Sequence, residues 1–269
     1  MESKLQESSH STEQEGSPDG QSSPCDLTSS HQQHKAHGEL LNKIYSVQRH
    51  FYDLTRKYYL FGRDRVLQEI IQYNPDSILE IGCGTGRNLF KLEKMLRSSS
   101  MDMHHERTPA LCGLDASTEM LAYASKHRPI GSDIALGFGY AESFSPQELF
   151  AHDTFSDILF SYSLSMIPES ILALEHALTL LAPEGRIWIV DFWDQSGYPR
   201  WFQKLLQWWL ELFHVRFDPA LFSHIKDIQR APHKDAERTS RPYSITIQPV
   251  GRNYAYLACI TRNASERAH

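Results

Sequence analysis

Apolar positions follow two rhythms along the chain. From Gly38 to Tyr73 they fall at helical spacing: Leu41, Ile44, Tyr45, Val47, Phe51 and Leu54, then Tyr58 to Phe61. Gly62 is a break, and Arg63-Asp64-Arg65 opens a further helix through Val66, Leu67, Ile70 and Ile71 that stops at Asn74-Pro75. Short apolar runs then predict strands at 78–81, 111–115, 134–138, 157–162 and 185–191, the last after an Ala-Pro-Glu-Gly turn. Between them, helical patterns cover 88–96, 117–127 and 171–181, with Ser117 as a cap. Such alternation implies a doubly wound, parallel sheet with helices on its faces. A helix at 201–213 interrupts it, with polar Gln203, Gln207, Glu211 and His214 on one stripe and apolar or aromatic residues around the rest. Finally, 243–248 and 254–261, joined around Pro249-Val-Gly-Arg-Asn253, read as a β-hairpin.

Composition narrows this picture. With 269 residues, 41% of them hydrophobic, the chain can bury one good-sized core and a small cap. Residues 1–36 are Ser, Gln, Glu, Gly and His with few large apolar side chains, which predicts a disordered tail. The expected order is tail 1–36, N-terminal helical segment 37–74, α/β core 75–198, aromatic helical cap 199–240, closing hairpin 241–262 and tail 263–269. The formal charge of −6, with no dense basic run, argues against a nucleic-acid partner. Cys25, Cys83, Cys112 and Cys259 have no paired spacing and read as free thiols in a reducing, cytoplasmic setting. His31, His34 and His37 lie in the tail without a closed ligand set, so no metal is assigned. The oligomeric state is open.

The chemistry concentrates at Ser77-Ile-Leu-Glu-Ile-Gly-Cys-Gly-Thr-Gly-Arg87, a strand, a glycine turn and the start of a helix. Gly82, Gly84 and Gly86 let the chain reverse with positive φ while its backbone approaches a ligand, and the helix N-terminus behind them offers N–H groups. Asp115, at the end of the next strand, is placed to hold ribose hydroxyls. Its distance from the glycines exceeds the usual ~20 residues, and a loop insertion at 98–109 accounts for the excess. Arg87-Asn88 follows the third glycine where a P-loop has Lys-Ser/Thr, so a P-loop is excluded and a nucleotide-type cofactor is expected. Glu80, just before the glycines, suits a cation and would repel a pyrophosphate.

The run Glu80-Ile-Gly-Cys-Gly-Thr-Gly86 resembles the first motif of class I S-adenosylmethionine-dependent methyltransferases. That resemblance implies a Rossmann-like, mostly parallel sheet closed by the C-terminal hairpin, with S-adenosyl-L-methionine as cofactor. It implies cofactor contacts from Glu80, Gly82, Cys83, Gly84, Gly86, Asn88, Asp115, Ala116, Ala141, Glu142 and Ser161. Tyr140 departs from the family, which commonly has an Asp before Ala-Glu to hold the adenine amino group. The segment Tyr45-x-x-Gln48-Arg-His-x-Tyr52-Asp-Leu-Thr-Arg56, continuing to Arg65, is further similar to BtaB-type N-methyltransferases of betaine-lipid synthesis. So are Tyr162-Ser-Leu-Ser-Met-Ile-Pro168, Val190-Asp-Phe192 and Pro199-Arg-Trp-Phe202. Those enzymes trimethylate the amino group of diacylglyceryl-homoserine, and the likeness, over roughly 41–260, implies the same reaction here.

Methyl transfer is an in-line displacement on carbon already activated by the sulfonium, so alignment and exclusion of water matter more than a catalytic acid. The amine proton can leave to solvent or to a weak base, for which His50 is one candidate. Aromatic faces suit a growing trimethylammonium, and the candidates are Tyr52, Tyr58, Tyr59, Tyr162, Phe192 and Trp193. Tyr162 and Phe192 stand out because they end predicted strands on the ligand-binding edge. Arg49, Arg56, Arg63 and Arg65 are candidates to clamp a substrate carboxylate, with ion pairs to Asp53 and Asp64 as the competing use. The 201–213 helix is read either as a membrane-surface contact or as a lid packed on the sheet. Other readings are a methyltransferase for a soluble amine or a quinone-type molecule, and a non-catalytic binding module. The intact Gly82, Gly84, Gly86 and Asp115 count against the last.

Overall fold

Gly62, at φ 84°, turns the chain into α1 (Arg63–Gln72), as the break at that position implies. This is a computed structural model that describes residues 60–100, 108–211, 217–228 and 242–264. The expected tail and most of the N-terminal helical segment lie outside the described residues, with Arg49, His50, Tyr52, Arg56, Tyr58 and Tyr59. From α1 the order is β1 (Ser77–Ile81), α2 (Arg87–Ser100), β2 (Ala110–Asp115), α3 (Thr118–His127), β3 (Ala135–Phe138), α4 (Pro146–Phe150) and β4 (Phe155–Ser161). A 3₁₀ turn (Leu164–Met166) leads to α5 (Ser170–Thr179) and β5 (Leu181–Phe192). Then come α6 (Arg200–Glu211), α7 (Pro219–Ile228), β6 (Tyr243–Val250) and β7 (Ala255–Arg262).

The strands form one sheet in the order β3-β2-β1-β4-β5-β7-β6, parallel from β3 to β5 and antiparallel at β7 and β6. Apolar side chains on both faces bury the inner strands. Ile78 joins Val66, Leu67, Ile70, Leu89 and Leu92 of α1 and α2 in one layer, while Leu79 and Ile81 join Leu174 of α5 and Ile225 of α7 in the other. The outer strand β6 alternates half-buried and exposed positions and carries Pro249, which an edge tolerates. The direction of winding reverses at β1, between β2 and β4, so the crevice beyond the ends of these strands is where a ligand belongs.

The elements differ from the sequence expectation in four places. The helix α2 runs to Ser100, so the start of the expected insertion is helical; Ser98 Oγ folds back onto the Lys94 carbonyl at 2.9 Å, and 101–107 lie outside the described residues. Strand β5 begins at Leu181 and carries the expected turn as a bulge. Its partners pass from Phe155↔Leu181 to Asp157↔Arg186, with Glu184 at φ 60°. Two short helices were not anticipated. In α4, Ser145 Oγ accepts the Glu148 N–H at 3.3 Å with Pro146 behind it, and in α7 Asp218 accepts the Ala220 N–H at 2.8 Å. No helix among the described residues is long and apolar enough to cross a membrane.

Candidate active site

The glycine turn is held from below by the neighbouring strand. The N–H groups of Gly82 and Cys83 donate to the Leu114 carbonyl at 2.8 and 3.0 Å, and the Gly84 N–H donates to Asp115 Oδ2 at 2.7 Å. The other carboxylate oxygen, Asp115 Oδ1, accepts the Ser117 N–H at 2.9 Å and so steadies the start of α3. Asp115 therefore braces the turn through both of its oxygens. Gly82 has φ 76°, and a Cβ there would sit 2.5 Å from the Ser163 Cβ, so neither its conformation nor its surroundings admit a side chain.

Above the turn lies a cleft of about 370 Å³ whose walls include Arg63, Glu80, Gly82, Cys83, Thr85, Asn88 and Ser161. Glu80 is buried at the end of β1, and Asn88 Nδ2 donates to its Oε1 at 2.7 Å, which fixes the carboxylate's orientation. Burial, and then the negative charges of Asp115 and Glu80, push the Cys83 thiol well above its usual range, so Cys83 lines the cleft as a neutral thiol. The same two carboxylates make the turn a site for a cation rather than for a pyrophosphate. Ser161 Oγ is buried without a hydrogen-bond partner among the described residues, a donor and acceptor left for a ligand. Ala116 is half-buried just after Asp115. Beyond β3, Ala141 is buried, with its carbonyl 2.9 Å from His176 Nδ1, and Glu142 is half-buried beside it.

At the ends of β4 and β5 the structure brings Tyr162 and Phe192 together. Their rings meet edge to face at 4.7 Å, and Phe192 meets Tyr254 at 5.6 Å. Tyr162 is only 1% exposed, holds φ 56°, and donates its hydroxyl to the Phe61 carbonyl at 2.6 Å. A left-handed aromatic residue is backbone strain, which here is held in place by the ring packing and the hydroxyl's hydrogen bond. Trp193 is not part of this corner. It packs on the opposite face with Phe222 at 5.3 Å and Tyr256 at 6.2 Å. Of the arginines, Arg63 is buried and lines the cleft, whereas Arg65 is an outward residue that donates to Glu69 and Gln248. Asp64 pairs with Lys91 at 2.7 Å and Arg87 at 3.3 Å.

Sequence reasoning missed Ser163 and Asp191. Ser163 touches the glycine turn, and its Oγ donates to the Ile81 carbonyl at 2.8 Å. Asp191, 2% exposed, accepts the N–H groups of Ser165 at 2.9 Å and of Phe192 at 2.8 Å. An acidic residue closing an apolar strand is the same signal that drew attention to Asp115.

Known proteins share this fold. A family model described as a methyltransferase domain matches residues 52–225. The plantazolicin methyltransferase BpumL, solved with SAH, is similar with a TM-score of 0.57 and 18% identity over 88% of this chain and 99% of that one. A SAM-dependent methyltransferase of Thermotoga maritima, described as a possible histamine N-methyltransferase, gives 0.54 and 16% over 82% and 99%. The magnesium protoporphyrin IX methyltransferase of Synechocystis PCC 6803, with bound SAH, gives 0.51 and 13% over 75% and 82%. No curated protein matches the chain. With a glycine turn braced by Asp115, a cation-favouring Glu80 and a family model across most of the fold, the chain belongs to the methyltransferase-domain family and is an S-adenosylmethionine-dependent methyltransferase.

Proposed function

We propose that the protein is an N-methyltransferase that methylates the amino group of a diacylglyceryl-homoserine-type lipid, up to the trimethylammonium. The observation that carries the lipid part of this reading is the facing of α6. Trp201, Leu205 and Trp208, at one-turn and two-turn spacing, are 70%, 52% and 58% exposed, while Gln203 is half-buried and donates to the Tyr198 carbonyl at 2.7 Å. An outward aromatic stripe with an inward polar residue is the reverse of a helix built only to pack on the sheet, and tryptophan favours the lipid–water interface. The helix would rest on the bilayer surface, without spanning it, and bring the headgroup to the cleft.

The remaining residues fit the same reaction. Tyr162 and Phe192, buried at 1% and 4% exposure, are assigned as the aromatic corner that a methylated ammonium would meet, with Tyr52 and Tyr58 completing it from the N-terminal segment. Arg63 offers a guanidinium inside the cleft for a carboxylate, with Arg49 and Arg56 assigned to the same task. Glu80, Asn88, Ser161, Asp115, Ala116, Ala141 and Glu142, with the glycine turn, hold S-adenosylmethionine. Its sulfonium supplies the activated methyl group; the chain's own part is to bind, align and exclude water.

Mass spectrometry of lipids from cells with and without the protein tests the acceptor. Mono-, di- and trimethylated forms of an amino-acid-headed glycerolipid should depend on the protein; an unchanged lipid profile would overturn the reading. For the surface contact, Leu205→Ser with Trp208→Ser should abolish co-sedimentation with phosphatidylcholine vesicles and leave cofactor affinity and Tm unchanged. Wild-type protein that never sediments with vesicles would remove the membrane part.

A further inference from the structure

Asp191 is a buried carboxylate with no place in the reaction as described, yet it sits at the join between the two halves of the site. Its Oδ2 accepts the Ser165 N–H and its Oδ1 the Phe192 N–H, so the end of β5 and the 3₁₀ turn after β4 are tied to one side chain. Two residues earlier in that turn, Ser163 is hydrogen-bonded to Ile81 and lies in contact with Gly82. The sequence of contacts runs from Asp191 through Ser165 and Ser163 to the start of the glycine turn, and Ser161, which lines the cofactor cleft, lies two residues before Ser163.

We propose that Asp191 is a positioning residue: its carboxylate pins the 163–166 turn against the glycine turn and thereby sets how tightly S-adenosylmethionine is held. The inference rests on the cofactor site and is independent of the acceptor. Both carboxylate oxygens are spent on N–H donors. An amide, or a protonated carboxyl, turns a donor toward one of them and must release it. The buried charge is also costly to keep, since burial, only partly offset by the hydrogen bonds from Ser165 and Phe192, pushes the Asp191 carboxyl up to about 6. A scaffold that needed only packing here would be better served by an apolar residue.

Among the described residues, the titratable groups that face it include Tyr256, directly opposite on β7, Tyr162 at the end of β4, and Asp218 ahead of α7. Tyr256 is pushed well above its usual value by burial and by the charges of Asp191 and Asp218, so it stays neutral between pH 5 and 8. Of this facing pair, Asp191 is then the one whose charge changes in that window.

The test uses the full chain, with S-adenosylhomocysteine as the probe in calorimetric titrations at pH 7.5 and 5. Wild-type affinity should weaken about tenfold on acidification, the size of one lost hydrogen bond to a charged group. Asp191→Asn should be about tenfold weaker already at pH 7.5 and show no further step, and Asp191→Glu should recover part of the loss. In the wild type, hydrogen exchange at the Ser165 amide, corrected for its intrinsic pH dependence, should be faster at pH 5 than at pH 7.5. Wild-type affinity in Asp191→Asn, an unaltered pH step in that variant, or equal Ser165 protection at both pH values would overturn the proposal. The last measurement needs no variant and decides the matter even if Asp191→Asn fails to fold.

Discussion

Asp115 shows how a residue read from the sequence for one task takes up another in the fold. Its place at the end of β2 is legible in the sequence because the glycine turn and the following acidic strand end are local, ordered signals. That its two oxygens also take the Gly84 and Ser117 N–H groups is not legible, since nothing in spacing says which backbone donors will be left over. Asp115→Ala should therefore weaken cofactor binding by ~1–3 kcal/mol and also loosen the turn, whereas a residue serving only the ribose would leave the unliganded protein's stability untouched. Calorimetry paired with urea unfolding separates the two; a variant that loses affinity at full stability would show that the brace is incidental. Gly82→Ala is expected to be worse, because it adds strain at φ 76° to a 2.5 Å approach to Ser163. Ser163 and Asp191 escaped sequence reading for a related reason: their partners are Ile81, 82 residues away in the chain, and a turn whose approach only the folded sheet creates.

Among elements, periodicity identified β1 to β5, α1 to α3, α5, α6 and the hairpin, because each buries a face long enough to show its period. It overlooked α4, which is five residues long and declared mainly by its cap, and α7, which is ten residues long and starts at Pro219 soon after the aromatic helix. For α6 the helix was legible and its orientation was not. The polar stripe reads as the wet side, yet Gln203 turns inward to cap the Tyr198 carbonyl while Leu205 and Trp208 turn out. At the other edge, the Tyr162 hydroxyl ties β4 to the residue just before Gly62 and α1. Tyr162→Phe keeps the ring on Phe192 and leaves the Phe61 carbonyl short of a donor, so it should cost about 1 kcal/mol in urea unfolding. No loss of stability would mean that water replaces the hydroxyl and that the tie holds nothing.

For the whole molecule, two buried carboxylates bias stability toward mildly acidic pH. Asp191 is raised to about 6 by burial, and Asp157 is raised by burial against the pull of Trp188 Nε1 at 2.7 Å, Ser156 and Arg186. Asp64 runs the other way: Lys91 and Arg87 outweigh its partial burial and lower it, so its contribution is present above the unfolded value and lost as pH falls. That contribution is small, because the side chain is 55% exposed and its partners share the solvent. For a raised carboxyl the native state binds more protons than the unfolded chain between the two pKa values, so stability falls as pH rises through that interval and levels off above it. In Asp191 the interval runs from about 4 to about 6 and amounts to about 3 kcal/mol at most. Asp191→Asn has no such titration. Whatever the amide costs in lost hydrogen bonds, the variant's unfolding free energy should therefore gain on the wild type's as pH is raised from 4 to 7, and run parallel to it from 7 to 8. Urea unfolding of both proteins across that range measures the difference directly, and two curves that stay parallel from pH 4 upward would mean that the Asp191 carboxyl titrates in the fold as it does in water.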